Sequence, residues 1–228
     1  MKKIKDFKIY DYHFIYLFVL VILGGVTGFL IENTATSISQ GYIDSRYQRL
    51  PCILGYGIVI FIMYIVFGTP DKMRFFNKRL FENKQSKIAK HILYFLIVTA
   101  FIFLAEWGAG ELFELLTGTV LWNYSNVPLH LGKYVCLPFT LAFGSGAYVL
   151  MAFIFTPFMH LLETKMPANI ALVICFVVGI PAIIDFLVTT ILLATGHAPS
   201  IIWRLYWPWY KEKSAKKAIK KLVIASQF

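Results

Sequence analysis

The chain has 228 residues, 58% of them apolar and 15% charged, with a formal net charge of +10. A soluble protein averages about 45–50% apolar and about 25% charged residues, so this chain lacks the polar groups to solvate a globular surface. Its bases cluster beside apolar runs of roughly the 20 residues that one membrane helix needs, which assigns the positive charge to anionic lipid and excludes nucleic acid as a partner.

These features predict an all-α fold, a polytopic transmembrane helical bundle in the lipid bilayer. The start, MKKIKDFK, is basic and precedes the apolar run Phe14–Ile31. That run exceeds the roughly 7–15 residues of a signal-peptide core, so it reads as an uncleaved first span, ending at Glu32. Further spans are expected at Pro51–Phe67, Ile92–Leu116, Leu137–His160 and Ala168–Ala194, five in all. The segment Ala198–Tyr210 carries three Trp and two Tyr, which suits a sixth, short or re-entrant piece in the aromatic belt. The divisions are a basic cytoplasmic tail, 1–13; a four-helix membrane region, 14–160; the fifth span with the aromatic segment, 161–210; and a basic C-terminal tail, 211–228. Cys52, Cys136 and Cys175 lie in or beside apolar runs without a C-x-x-C pair and read as packing thiols.

Orientation follows from Lys and Arg in the short loops. With the N-terminus inside, 12 bases lie in the cytoplasmic tail and loops and 3 in the outer loops. Seven further bases, Arg204 to Lys221, follow the fifth span and would then lie outside. Either the sixth segment returns them, or Pro181 breaks the fifth span into a helical hairpin; the first is favoured. The second loop, Gly68–Lys90, carries seven bases, and Met73, Phe76, Leu80 and Phe81 recur at helical spacing between them. A basic amphipathic helix lying in the interface is expected there.

An ionisable side chain at bilayer depth costs about 2.5–3.5 kcal/mol on insertion scales, so such residues mark function by default. The third span holds Glu106, Glu111 and Glu114. At 3.6 residues per turn they spread over about 140° of the helix, too wide for one stripe. Asp185, four residues after Pro181 in the fifth span, reads either as a cavity-facing polar site or as a packing partner. Trp122, Asn123, Tyr124 and Ser125 open the third outer loop, which either lines an entrance for a polar ligand or forms an Asn/Ser-capped turn. His130 lies in that loop, but no H-x-x-x-H or H-E-x-x-H spacing supports a metal. No G-x-S-x-G and no Walker A sequence occurs, so no catalytic residue and no cofactor is expected, and P-loop ATP hydrolysis would need another chain.

These motifs resemble the CmpB family of type IV ABC-transporter membrane proteins, from about Phe14 to His160. The family's Gly-Trp-x-x-Glu at the end of the first span is Gly28-Phe29-Leu30-Ile31-Glu32 here. Gly41, Pro51, Gly55 and Gly57 follow in the family's order, then Glu106, Gly110 and Glu114. Its Trp-Asp-Tyr-Ser is Trp122-Asn123-Tyr124-Ser125, and Gly132, Cys136, Leu137 and Gly144 complete the match. Phe29 and Phe143 replace Trp, Asn123 replaces an acid, and Glu111 is an additional one. The resemblance implies the membrane subunit of a transport system in the bacterial cytoplasmic membrane, working with a separate ATPase subunit. Glu32, Glu106 and Glu114 would form its polar interior, Trp122, Asn123, Tyr124 and Ser125 its outer entrance, and the second loop its docking surface. A membrane enzyme acting on a lipid-linked or polar headgroup substrate, and a non-catalytic partner or sensor protein, stand as alternatives.

Overall fold

The computed structural model describes residues 6–80, 86–118, 120, 122–197 and 201–207. Five helices account for most of them: α1 (Phe14–Gln40), α2 (Leu54–Phe67), α3 (Lys87–Thr117), α4 (Leu137–Lys165) and α5 (Ala168–Ala194). Short antiparallel strands join them: β1 (Lys8–Ile9), β2 (Tyr12–His13), β3 (Tyr42–Asp44), β4 (Gly68–Thr69), β5 (Lys72–Phe75), β6 (Lys78–Arg79), β7 (His130–Leu131), β8 (Val135–Cys136) and β9 (Arg204–Tyr206).

The helices run between two ends. At the proximal end, His13 donates its backbone N–H to Glu163 (2.8 Å), Tyr10 bonds the Ile65 carbonyl (3.3 Å) and Tyr94 bonds the Gly68 carbonyl (2.8 Å). The distal end gathers the β3–β9 pair and the loop between α3 and α4. Between them, a core of fully buried Leu17, Tyr64, Tyr94, Val98, Phe155 and Met159 fills the proximal half. Tyr64 stacks on Phe155 with ring centroids 4.8 Å apart.

Four helices are long and apolar enough to cross a membrane: α1 over Phe14–Ile38, α3, α4 and α5. The expected second span is shorter than its apolar run. Helix α2 has 14 residues, about 21 Å at 1.5 Å per residue, against the roughly 20 residues a crossing needs. The preceding residues are extended rather than helical, because α1 holds them. Ile53 donates its N–H to the Gly25 carbonyl (2.9 Å), and the Cys52 thiol reaches the Ile22 carbonyl (3.8 Å). Helix α1 thus supplies the protein cover that non-helical backbone needs wherever water is excluded. Close approach of the two helices rests on glycine: a Cβ on Gly57 would strike the Val21 carbonyl.

Helix α1 continues past Glu32 to Gln40, longer than its apolar stretch. Thr34 and Thr36 fold their hydroxyls back on the carbonyls of Leu30 and Glu32 (2.8 and 2.9 Å), which keeps this polar extension helical without outside partners for those groups. Gly41, at φ 71°, ends it in the left-handed conformation that glycine adopts without strain.

Three expectations change. Over 68–80 the second loop is no helix: β4, β5 and β6 form a three-stranded sheet with Thr69 opposite Lys72 and Phe75 opposite Lys78. Pro70 and Asp71 form its first turn, which competes with helix locally. Arg74 is buried, its guanidinium 3.9 Å from the Tyr10 ring centroid and 3.5 Å from Asp11, so this base serves the fold rather than lipid. Of the residues read at helical spacing, Phe81 lies outside the described residues.

The aromatic segment gives neither a helix nor a re-entrant turn within 201–207. Its Arg204–Tyr206 pairs as β9 with β3 at the distal end, Tyr42 opposite Tyr206. Arg204 binds Asp44 (3.0 Å) across the ladder and stacks on Tyr42 (4.2 Å). The rest of that segment, 198–200 and 208–210, lies outside the described residues.

Pro181 does not split the fifth span. Helix α5 widens to a π turn over Cys175–Gly179, where Ile180 N–H bonds the Cys175 carbonyl five residues back, and then passes through the proline. Helix α4 does the same at Leu150–Ile154, just before Pro157. A wider turn relieves the clash of the proline ring with the carbonyl four residues earlier.

A candidate functional site at the distal end

The distal carboxylates are positioned by glycine and tyrosine. On α1, Gly28 lies four residues before Glu32, one turn away on the same face. A Cβ at Gly28 would overlap the Tyr56 ring from the start of α2. With the ring seated there, the Tyr56 hydroxyl donates to Glu32 Oε1 at 2.6 Å. On α3, Gly110 lies four residues before Glu114, and a Cβ there would overlap the Tyr134 ring. The Tyr134 hydroxyl donates to Glu114 Oε2 at 2.7 Å. The same Gly-x-x-x-Glu device thus occurs twice, each time gripping a tyrosine from a neighbouring element.

The two glutamates differ in their other partners. Lys133 Nζ donates to both oxygens of Glu114, at 2.7 and 2.9 Å, so this carboxylate is neutralised by an ion pair. Glu32 and Glu106 form no ion pair among the described residues. Glu106 accepts from the buried Thr140 hydroxyl at 3.4 Å. Both carboxylates act electrostatically on Tyr124. Its ring stacks on Phe139 at 5.3 Å, and its hydroxyl is pushed up to about 12, first by burial and then by the negative charges of Glu106 and Glu32. Its proton therefore stays in place at neutral pH.

The loop after α3 is tied down rather than loose. Trp122 Nε1 donates to the Tyr134 carbonyl (3.0 Å), and Tyr124 N–H donates to the Lys133 carbonyl (2.7 Å). Asn123 Oδ1 accepts the Ser125 N–H at 2.8 Å, an Asx turn at the exposed tip. Tyr134 is fully buried beneath, its hydroxyl pushed up to about 12 by burial and then by the bond to Glu114.

Of the residues picked out from the sequence, Glu32 and Glu106 both act electrostatically on Tyr124, while Glu114 sits in a separate ion-paired group and Glu111 is exposed. Sequence reasoning missed Tyr56, Lys133, Tyr134 and Thr140. The repeated Gly-x-x-x-Glu spacing was the available signal for the tyrosines, since a glycine one turn before an acid leaves room for a ring against the helix. Asp185 is a packing partner: at 5% exposure, its Oδ2 accepts the N–H groups of Arg49 and Leu50 at 2.7 and 2.9 Å. Its Oδ1 meets the Arg49 guanidinium at 3.3 Å, so Asp185 anchors the α1–α2 loop to the middle of α5. Among the described residues no three His, Cys, Asp or Glu side chains gather as a metal site.

Apolar helices of membrane length carrying carboxylates at one end define a multi-pass α-helical membrane protein. The chain belongs to the CmpB family, described as "Putative ABC-transporter type IV", which it matches over residues 17–190. That match reaches beyond the four-helix region into α5. No curated protein and no solved structure matches the chain.

Proposed function

We propose that the chain is the membrane subunit of a transport system, permease-like, whose ATPase is a separate chain. Family membership supports a transport-related role, and the sequence holds no Walker A motif of its own. In this reading α2, with the extended residues 51–53 ahead of it, completes a fifth crossing of the bacterial cytoplasmic membrane. The N-terminus and the β4–β6 sheet face the cytoplasm, where the sheet's exposed Lys72, Lys78 and Arg79 form the docking surface for the ATPase.

The observation that carries the reading is that Glu32 on α1 and Glu106 on α3 hold only hydroxyl partners, Tyr56 and Thr140, with no ion pair among the described residues. Membrane helices hold carboxylates in this way where a polar solute passes. Glu32 and Glu106 line the path, Glu114 fixes its outer edge through Lys133 and Tyr134, and Trp122, Asn123, Tyr124 and Ser125 form the entrance.

Purification of the full chain from its native membrane in mild detergent tests this. A nucleotide-hydrolysing subunit is expected to co-purify, and Glu106→Gln is expected to leave that complex intact while abolishing transport-linked ATP hydrolysis. Recovery of a monodisperse chain without an ATPase, from membranes in which both are expressed, overturns the proposal.

A further inference from the structure

A second distal feature is independent of the glutamates. Between the outer part of α1, the loop Ser45–Pro51 and Trp203 lies a cavity of about 230 Å³. That volume is roughly eight times the share of one liquid water, enough for a single small ring. Phe29, Leu50, Pro51 and the Trp203 indole supply its apolar walls, and Phe29 meets Trp203 at 6.3 Å between ring centroids. Ser45, Gln48 and Arg49 supply the polar ones.

Gln48 is the unexplained residue. It is 9% exposed, lines the cavity, and its Oε1 accepts no hydrogen bond among the described residues. A buried amide oxygen left without a donor is destabilising, and native structures rarely keep one without a reason. Its neighbour Arg49 is half exposed at the mouth, with one guanidinium nitrogen on Asp185. A guanidinium has five N–H donors, so this one retains donors for a second acceptor. The one charged residue of the lining, Arg49, is already matched by Asp185 behind it. A free anion or cation would find no uncompensated counter-charge there. Gln48 lacks a donor and Arg49 has donors to give, and one uncharged molecule with an apolar face for Trp203 can meet both.

We propose that this pocket binds a small neutral polyhydroxylated ring of monosaccharide size. One hydroxyl donates to Gln48 Oε1, another accepts from Arg49, and the ring's apolar face lies on Trp203 and Phe29. Hydroxyls serve as donor and acceptor at once, which is why this class satisfies both groups. The site is separate from Glu32 and Glu106 in its partners, so it stands or falls apart from the transport reading.

Calorimetric titration of the full chain in lipid nanodiscs with glucose, N-acetylglucosamine and myo-inositol is the test, with inorganic phosphate and glycine betaine as charged counterparts. At least one of the three neutral rings is expected to bind saturably at millimolar concentration or below. Gln48→Met, which keeps the side-chain volume and removes the unpaired oxygen, is expected to weaken that binding at least about tenfold without lowering the melting temperature. Glu106→Gln is expected to leave the binding unchanged. Saturable binding of phosphate or betaine in place of the rings overturns the proposal, as does no saturation by any of the three. So does a Gln48→Met protein that melts lower yet binds as before, which would make Gln48 a purely structural residue.

Discussion

Gly110 and Gly108 lie two residues apart on α3 and make opposite predictions. A methyl group on Gly110 meets the Tyr134 ring, whereas one on Gly108 meets nothing within 4 Å. Gly110→Ala is expected to cost about 1–3 kcal/mol of stability by overpacking, and Gly108→Ala less than about 0.5 kcal/mol. Thermal unfolding of the purified chain in detergent distinguishes them, and equal melting temperatures would contradict the seating of Tyr134 on Gly110. Tyr124 and Tyr134 carry a pH signature. Folding raises the Tyr124 and Tyr134 hydroxyls from 10.0 to about 12, so the folded state favours the neutral phenols. Their contribution is complete below pH 10.0 and is lost as pH rises towards about 12. Between those limits the wild type is expected to lose melting temperature more steeply than the Tyr124→Phe, Tyr134→Phe double variant. Parallel curves would show that burial does not hold these protons.

At the scale of elements, the α1–α2 loop depends on α5 through one carboxylate. Asp185 accepts two backbone donors, from Arg49 and Leu50, and both bonds are short. Asp185→Ala strands both N–H groups and is expected to cost at least about 2 kcal/mol. Asp185→Asn keeps an oxygen acceptor and is expected to cost less, because the lost ion pair involves a half-exposed Arg49 and such pairs contribute little. Melting temperatures in the order wild type, Asn, Ala check this; an Asn variant as weak as Ala would assign the stability to the charge instead. Proline positions were legible in the sequence but their consequence was not. Pro157 and Pro181 each follow a π turn that keeps the helix continuous. Whether a helix breaks or widens at a proline depends on neighbouring helices that cover the freed carbonyl, and local sequence does not contain them. The second loop failed for a related reason. Met73, Phe76 and Leu80 fit a helical period over a short stretch, yet the Pro70–Asp71 turn and the burial of Arg74 between Tyr10, Tyr64 and Asp11 favour a sheet.

For the whole molecule, the decisive question is how many times the chain crosses. If α2 and residues 51–53 form a crossing, Tyr47 and Asn77 lie on opposite sides of the membrane. Cysteines at these exposed positions are then expected to react with an impermeant maleimide from opposite faces of intact, oriented membranes: Tyr47→Cys from outside, Asn77→Cys only after permeabilisation. Labelling of both from one side would leave only the four helices of full membrane length as crossings. Arg204 bears on the same topology. Its pairing with Asp44 across β3 and β9 puts residues 204–206 at the end opposite β1 and β2. The first of the seven C-terminal bases is therefore neutralised within the fold.

Composition and hydropathy alone determined that this is a multi-pass helical protein and where α1, α3, α4 and α5 lie. Those are properties of each segment against lipid, and every segment carries its own apolar length and its own charges. Only the tertiary structure decided that α2 begins at Leu54 rather than Pro51, that Asp185 anchors a loop, and that Glu32 meets Tyr56 and Glu106 meets Thr140 while Glu114 pairs with Lys133. Each of these is settled by a partner distant in the chain, Gly25 for Ile53 or Arg49 for Asp185, and the strength of a buried polar group lies in the partner it meets rather than in the residue itself.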